Sequence, residues 1–260
     1  MKKAKPNYPI KVLDKSLSVL ELLLQKGSSM NMTEISEKLG FYPSTTHRIL
    51  DTLKHWGYVE QDPNTQRYQL GLKLLELGMA KLHQMDLVRE AAPYLKELVK
   101  QCNEIVHLGV LEEGEVLYLA KEESSQTIRM ISYVGKRAPL HCTALGKVLL
   151  TYLSAEERKK ILGEKELPRL TENTITDKRE LEKELSKVRE QGFALDREEN
   201  EKDVRCIAAP IRNYQGKVIA AISISSPIFR INKNIQNNLN EALLETSKKI
   251  SKRLGYNGKW

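Results

Sequence analysis

Leu39-Gly40-Phe41-Tyr42-Pro43-Ser44-Thr45-Thr46-His47-Arg48-Ile49-Leu50 ends one short helix, turns at a glycine, and opens a second helix at Pro43-Ser44. In that second helix Thr46, Ile49, Leu50 and Leu53 recur at i, i+3, i+4 and i+7, a stripe that faces a core. Ser44, His47, Arg48, Asp51 and His55 are left on the polar side. Working outward, Leu13, Leu17, Leu20 and Leu24 predict an amphipathic helix that breaks at Gly27-Ser28-Ser29, its apolar stripe fitting either a contact with a second copy or the internal core. A short helix from Thr33 to Leu39 follows, with Thr33 as its N-cap and Gly40 as its stop. After Gly57, the stretches Tyr58 to Gln61 and Arg67 to Leu70 flank Asp62-Pro63-Asn64-Thr65 and read as strand, turn, strand. Three helices followed by a hairpin predict a winged helix-turn-helix domain.

A helix fits the DNA major groove, which is about 12 Å wide, and its amino-terminal turns reach the base edges. Ser44, Thr45, His47 and Arg48 occupy those turns. Arg48 can bind guanine O6 and N7 bidentately, worth roughly 1–3 kcal/mol against the wrong base, while Ser44 and Thr45 suit phosphates. Lys54 and Arg67 are expected to add phosphate neutralisation. The competing reading is a protein-interaction or linker module in which Arg48 is a solvated helix residue.

The chain has 260 residues and a formal charge of +8, with a pI near 9.2. That length allows one or two domains. Hydrophobic residues at 40% and charged residues at 29% exclude wholesale disorder. No apolar run approaches the roughly 18 residues of a membrane span, and the first residues lack a signal peptide's apolar core, so a cytoplasmic protein without membrane contact is expected. Cys102, Cys142 and Cys206 are odd in number and widely spaced, which suggests neither a disulfide framework nor a zinc site. No metal or other cofactor is expected.

Beyond the hairpin, Leu72, Leu75, Met79 and Leu82 predict a linker helix, and Leu87 to Cys102 a longer one. Ile105 to Leu111 and Val116 to Lys121 predict a hairpin, Ile128 to Tyr133 a further strand, and Cys206 to Arg212 with Val218 to Ser225 a closing pair. Ser154 with Glu157 and Asp177 with Glu180 open two helices, and a terminal helix runs from Asn232 to Leu254. The mixed order predicts an α+β domain around an antiparallel sheet. Thr143-Ala144-Leu145-Gly146-Lys147 begins a helix with small residues, so backbone N–H groups can approach a carboxylate closely. Ser223 and Ser225 share one face of a strand, which fits either a pocket wall or a solvent face. His141 and Cys142 are adjacent on a segment expected to be extended, which argues against a base and nucleophile pair.

The segment from Leu13 to Leu77, with PSTTHRILDTLKHWGYVEQD and RYQLGLKLLELG, resembles the DNA-binding domain of the IclR family of bacterial transcriptional regulators. PLHCTALGKVLL (139–150), GFALDREENEKDVRCIAAPI (192–211) and AISISSP (221–227) extend the resemblance over essentially the whole chain. IVHLGVL, TENTIT and the closing KKIS…GY are most similar to the KdgR branch, which responds to 2-keto-3-deoxygluconate. The resemblance implies a winged helix-turn-helix domain over 9–71, a linker helix over 72–86 and a GAF/PAS-like α+β effector-binding domain over 87–256. It implies a regulator, most often a repressor of a catabolic operon, and not an enzyme. Its partners would be double-stranded operator DNA, a small organic acid, and a second copy of the chain, with a dimer of dimers as a further state. The positions that match the family's ligand contacts are Met130, Ala138, Ala144, Leu145, Asp196, Val204, Cys206, Ser223 and Ser225.

Overall fold

A computed structural model describes residues 10–83, 86–127, 131–163, 166–231 and 233–258. The chain divides into two units, residues 1–84 and 85–260.

In the first unit, α1 (Lys11–Lys26), α2 (Met32–Leu39) and α3 (Pro43–His55) precede the hairpin β1 (Val59–Gln61) and β2 (Tyr68–Leu70). Thr46, Ile49, Leu50 and Leu53 are the buried residues of α3, as the helical period requires. They meet Val19, Leu23, Met30, Ile35, Val59 and Tyr68 in one core. One local expectation changes. Asn31, not Thr33, caps α2: its side chain accepts from Glu34 N, and the Glu34 carboxylate accepts from Asn31 N, a reciprocal arrangement that satisfies two otherwise unpaired donors. On α1 the buried residues are Val19 and Leu23, whereas Leu13, Leu17 and Leu24 are exposed. α4 (Leu72–His83) follows the hairpin and exposes Leu72, Leu75, Leu77 and Met79.

The second unit opens with α5 (Asp86–Cys102). Its sheet contains β3 (Ile105–Glu112), β4 (Glu115–Glu122), β5 (Arg137–Ala138), β6 (Ala194–Arg197), β7 (Val204–Arg212) and β8 (Val218–Pro227). The order is β5-β4-β3-β8-β7-β6, with every neighbouring pair antiparallel. Glu113 and Gly114 join β3 to β4 with φ of 54° and 82°, the left-handed pair that matches strand twist in a two-residue hairpin. Residues 131–133 form no strand, contrary to the expectation for Ile128 to Tyr133, and residues 128–130 lie outside the described residues.

Strand alternation sends Val106, Leu108, Ile207, Ala209, Ile222 and Ile224 to one face, where they pack with Leu95 and Leu98 of α5 and Leu243 and Ile250 of α9 (Lys233–Arg253). The opposite face carries Val116, Ala194, Ala208 and Ala221 beneath α6 (Ala144–Thr151) and α8 (Lys178–Gln191). Small residues on the sheet let α6 sit close. Every residue of α6 is buried, and a Cβ on Gly146 would come within 2.3 Å of the Leu140 carbonyl oxygen. α7 (Ala155–Leu162) is capped by the Ser154–Glu157 pair, and Asp177 caps α8 by accepting from Arg179 N and Glu180 N.

Candidate functional site

The polar side of α3 is open. Ser44, His47 and Arg48 are exposed and Thr45 is half-buried. His47 Nδ1 lies 3.2 Å from Asp51 Oδ2. Arg48 has no side-chain partner among the described residues, which leaves its guanidinium available. Lys54 Nζ donates to Gln61 Oε1 at 3.1 Å and lies 3.5 Å from Asp51 Oδ1, so it braces α3 against the wing. Arg67 departs from a simple phosphate contact. Its Nε and Nη2 donate to Ser29, and Nη2 also donates to Glu34 Oε2 at 3.0 Å. Its charge is thus already engaged in tying the wing to the segment before α2.

In the second unit, cross-strand pairing brings polar residues together on one sheet face, the place of the candidate cleft. Asp196 pairs with Cys206 and Cys206 with Ser225, and directly opposed residues share a face. The next row runs Ala208, Ser223, His107, Lys121. The start of α6 lies along this face: Thr143 Oγ1 accepts from Gly146 N, and the N–H groups of Ala144 and Leu145 take no acceptor among the described residues. Ala138, Ala144 and Leu145 are core residues at that end, and Val204 begins β7 opposite Pro227. Met130 lies outside the described residues.

Sequence reasoning did not single out the groups that govern the charge here. Lys147 Nζ donates to Glu199 Oε1 at 2.6 Å, and Glu199 N donates to Asp196 Oδ1 at 2.8 Å. Burial raises the Asp196 carboxyl to about 7, against the opposing pull of the Glu199 N–H. Burial also pushes the Cys142 thiol up to about 12, with the Asp196 and Glu199 charges adding to it, and drives Cys206 well above its ordinary value. Both thiols therefore stay protonated at neutral pH, and a thiolate nucleophile is not available. His141 shares a hydrogen bond with the Pro168 carbonyl, while Cys142 donates to Asn200 Oδ1 at 3.7 Å. The two sit in a turn, not on an extended segment, and they are separated by their partners. Among the described residues no group of three or more His, Cys, Asp and Glu could hold a metal ion.

A polar, open helix face on a winged core and a row of buried polar residues on one face of an antiparallel sheet are the two halves of one family pattern. The model of the IclR helix-turn-helix domain matches residues 12–63, and that of the bacterial transcriptional regulator IclR C-terminal domain matches residues 79–252. The chain belongs to the IclR family.

Among its relatives, the HTH-type transcriptional regulator KdgR of Escherichia coli is 41% identical over 227 residues, covering 87% of this chain and 86% of that protein. The crystal structure of Thermotoga maritima IclR is 32% identical, with a TM-score of 0.78 over 95% of this chain and all of that one. An IclR homolog from Microbacterium hydrocarbonoxydans, crystallised with 4-hydroxybenzoate, is 27% identical, with a TM-score of 0.81 over 94% of this chain and 98% of that one. This IclR protein is a DNA-binding transcriptional regulator and not an enzyme. Among its described residues no helix is long and apolar enough to cross a membrane.

Proposed function

We propose that this IclR protein is a repressor of a catabolic operon, released from its operator by a small organic acid, with 2-keto-3-deoxygluconate as the first candidate. The observation that carries the reading is the alignment of Asp196, Cys206, Ser225 and Ser223 beside the unpaired N–H groups of α6. Serine hydroxyls and helix N–H groups donate to a carboxylate or keto oxygen, and Asp196 accepts from a ligand hydroxyl. Ala138, Ala144, Leu145 and Val204 would shape the remaining wall. The resemblance of IVHLGVL, TENTIT and KKIS…GY to the KdgR branch favours a sugar-acid ligand over an aromatic one. For a catabolic operon, release by the substrate lets that substrate induce its own removal.

Ser44, Thr45, His47 and Arg48 read the operator in this account, and Lys54 and Arg67 stand at its phosphate edge. One short helix covers too few base pairs for selective binding, so the chain works in the cytoplasm as a homodimer, with a dimer of dimers on paired sites. The exposed leucines of α1 and α4 supply apolar surface for pairing. The ligand signal travels along the chain through α4, and coupling of the usual 1–3 kcal/mol is reciprocal, so DNA weakens the acid as much as the acid weakens DNA.

The test is an electrophoretic shift with DNA from upstream of the chain's own gene, titrated with 2-keto-3-deoxygluconate, pyruvate and 4-hydroxybenzoate. Release by the sugar acid supports the reading. Release by 4-hydroxybenzoate alone moves the ligand to the aromatic class, and tighter binding on adding acid reverses the sign of regulation.

A further inference from the structure

β4 contains a bulge where it passes the cleft. Glu122, Lys121 and Ala120 pair with Val106, His107 and Leu108, and the pairing then jumps to Tyr118 opposite Gly109, leaving Leu119 without a partner. Uninterrupted alternation would set Leu119 opposite Gly109 and turn Tyr118 to the α5 and α9 side. The extra residue instead brings Tyr118 onto the cleft face with Lys121, three positions away, while Leu119 joins the core on the other face. Bulges re-aim side chains in this way beside functional sites.

The Tyr118 ring stacks on His107, with centroids 4.9 Å apart and planes at 22°. His107 is buried and shares a 2.8 Å hydrogen bond with Ser132 through Nε2. Burial, with Lys121 and Lys136 nearby, lowers its pKa to about 3, so the stack rests on a neutral ring. The Tyr118 hydroxyl has no hydrogen-bond partner among the described residues. Burial is the main cause that raises its pKa.

We propose that Tyr118 is a specificity-determining residue of the cleft, donating its O–H to an oxygen on the hydroxylated tail of a 2-keto acid whose head is held by Ser223, Ser225 and the first turn of α6. This rests on the effector reading given above. A flat apolar ring with one donor at its tip discriminates by what the ligand offers that donor. A ligand without a tail oxygen leaves the phenol desolvated and unpaired, the situation in which polar sites reject analogues most strongly.

Calorimetry on the full chain with pyruvate and 2-keto-3-deoxygluconate tests this, since the two acids share a keto-acid head and differ in the tail. Wild type is expected to prefer the sugar acid by at least about tenfold. Tyr118→Phe keeps the ring on His107, so an unchanged melting curve is the folding control. The variant is expected to bring the preference toward one with pyruvate binding unaltered. A preserved preference in Tyr118→Phe overturns the proposal, as does a wild type that binds the two acids equally or binds neither. The pair Ser223→Ala, Ser225→Ala separates the two levels. If that pair loses both acids while Tyr118→Phe behaves as wild type, the cleft stands and the tyrosine's role falls. If the serine pair keeps both acids, the cleft reading falls and the tyrosine proposal with it.

Discussion

Lys147 Nζ and Glu199 Oε1 lie 2.6 Å apart with both side chains buried. The pair joins α6 to the loop after β6. Glu199 also accepts from Arg197 N through Oε1 and donates its own N–H to Asp196, so one buried charge pair fixes the backbone beneath the cleft carboxyl. The second carboxylate oxygen, Oε2, is buried with no hydrogen-bond partner among the described residues. Lys147 is therefore the main compensation for a charge already short of partners.

Lys147→Met should cost about 3–5 kcal/mol of unfolding free energy, because it leaves Glu199 as an uncompensated buried charge. Adding Glu199→Gln in the same chain should recover a large part of the loss. Urea unfolding of the two variants reads the difference. Equal destabilisation in the single and double variants would show that Lys147 matters through packing alone.

Asp196 makes stability depend on pH in a direction opposite to most carboxylates. Burial raises it to about 7 in the folded chain, whereas an unfolded aspartate ionises near 3.9. Between those values the folded state holds a proton that the unfolded state has released, so stability falls as pH rises. Above about 7 both states are ionised and the loss is complete. Wild type minus Asp196→Asn should lose stability on the order of a few kcal/mol between pH 4 and pH 8, measured by urea unfolding. An anionic ligand placed beside Asp196 favours its protonated form. Calorimetry in buffers of different ionisation enthalpy should thus show proton uptake on binding near pH 7, and none in Asp196→Asn. His107, lowered to about 3 by burial, acts in the opposite sense up to its unfolded value near 6.5, where the unfolded state binds a proton that the folded state lacks, and this contribution cancels in the difference between wild type and Asp196→Asn.

Arg48 and Arg67 should part company. Arg48→Ala, on the open side of α3, should weaken specific DNA binding by about 1–3 kcal/mol and relax one operator position without altering the melting temperature. Arg67→Ala removes the bonds to Ser29 and Glu34 that anchor the wing. It should lower the melting temperature as well as the affinity for all sequences, and Arg67→Lys should not restore it, because a single ammonium cannot reproduce the guanidinium fork. A melting temperature unchanged in Arg67→Ala would return that residue to the phosphate edge alone.

The reading head was legible because its signals are local. Helical spacing from Thr46 to Leu53, Gly40 between two helices and Asp62-Pro63-Asn64 between two short strands each act within one turn of chain. The cap at Asn31 was local too, since Glu34 follows at the capping-box interval, but Thr33 competed for the same role. On α1 the leucine spacing left open which residues meet the core, because its leucines wrap most of the way round the helix and α2 and α3 decide which of them are buried. The cleft was legible only in part. Ser223 and Ser225 share a strand face by alternation, but Asp196 gains its proton affinity from burial, and Glu199, which fixes its loop, is anchored by a lysine 52 positions away. The placing of Tyr118 depends on a register shift against β3, and β4 read alone alternates without a break.

Leu13, Leu17 and Leu24 on α1, and Leu72, Leu75 and Met79 on α4, are large apolar residues left in solvent by the core of the first unit. On α1 they recur at intervals of four and seven, one continuous stripe beside the buried Val19 and Leu23. Such a stripe left open to solvent marks a contact surface, and a second copy is the occupant that a two-half-site operator needs. Leu17→Glu should therefore shift sedimentation at micromolar concentration from dimer to monomer. Its circular dichroism should be unchanged, because Leu17 is not part of the internal core. Loss of the dimer should weaken binding to a palindromic operator far more than binding to a single half-site. If Leu17→Glu and Leu75→Glu both sediment as wild type, these helices do not form the dimer contact, and the pairing surface belongs to the second unit.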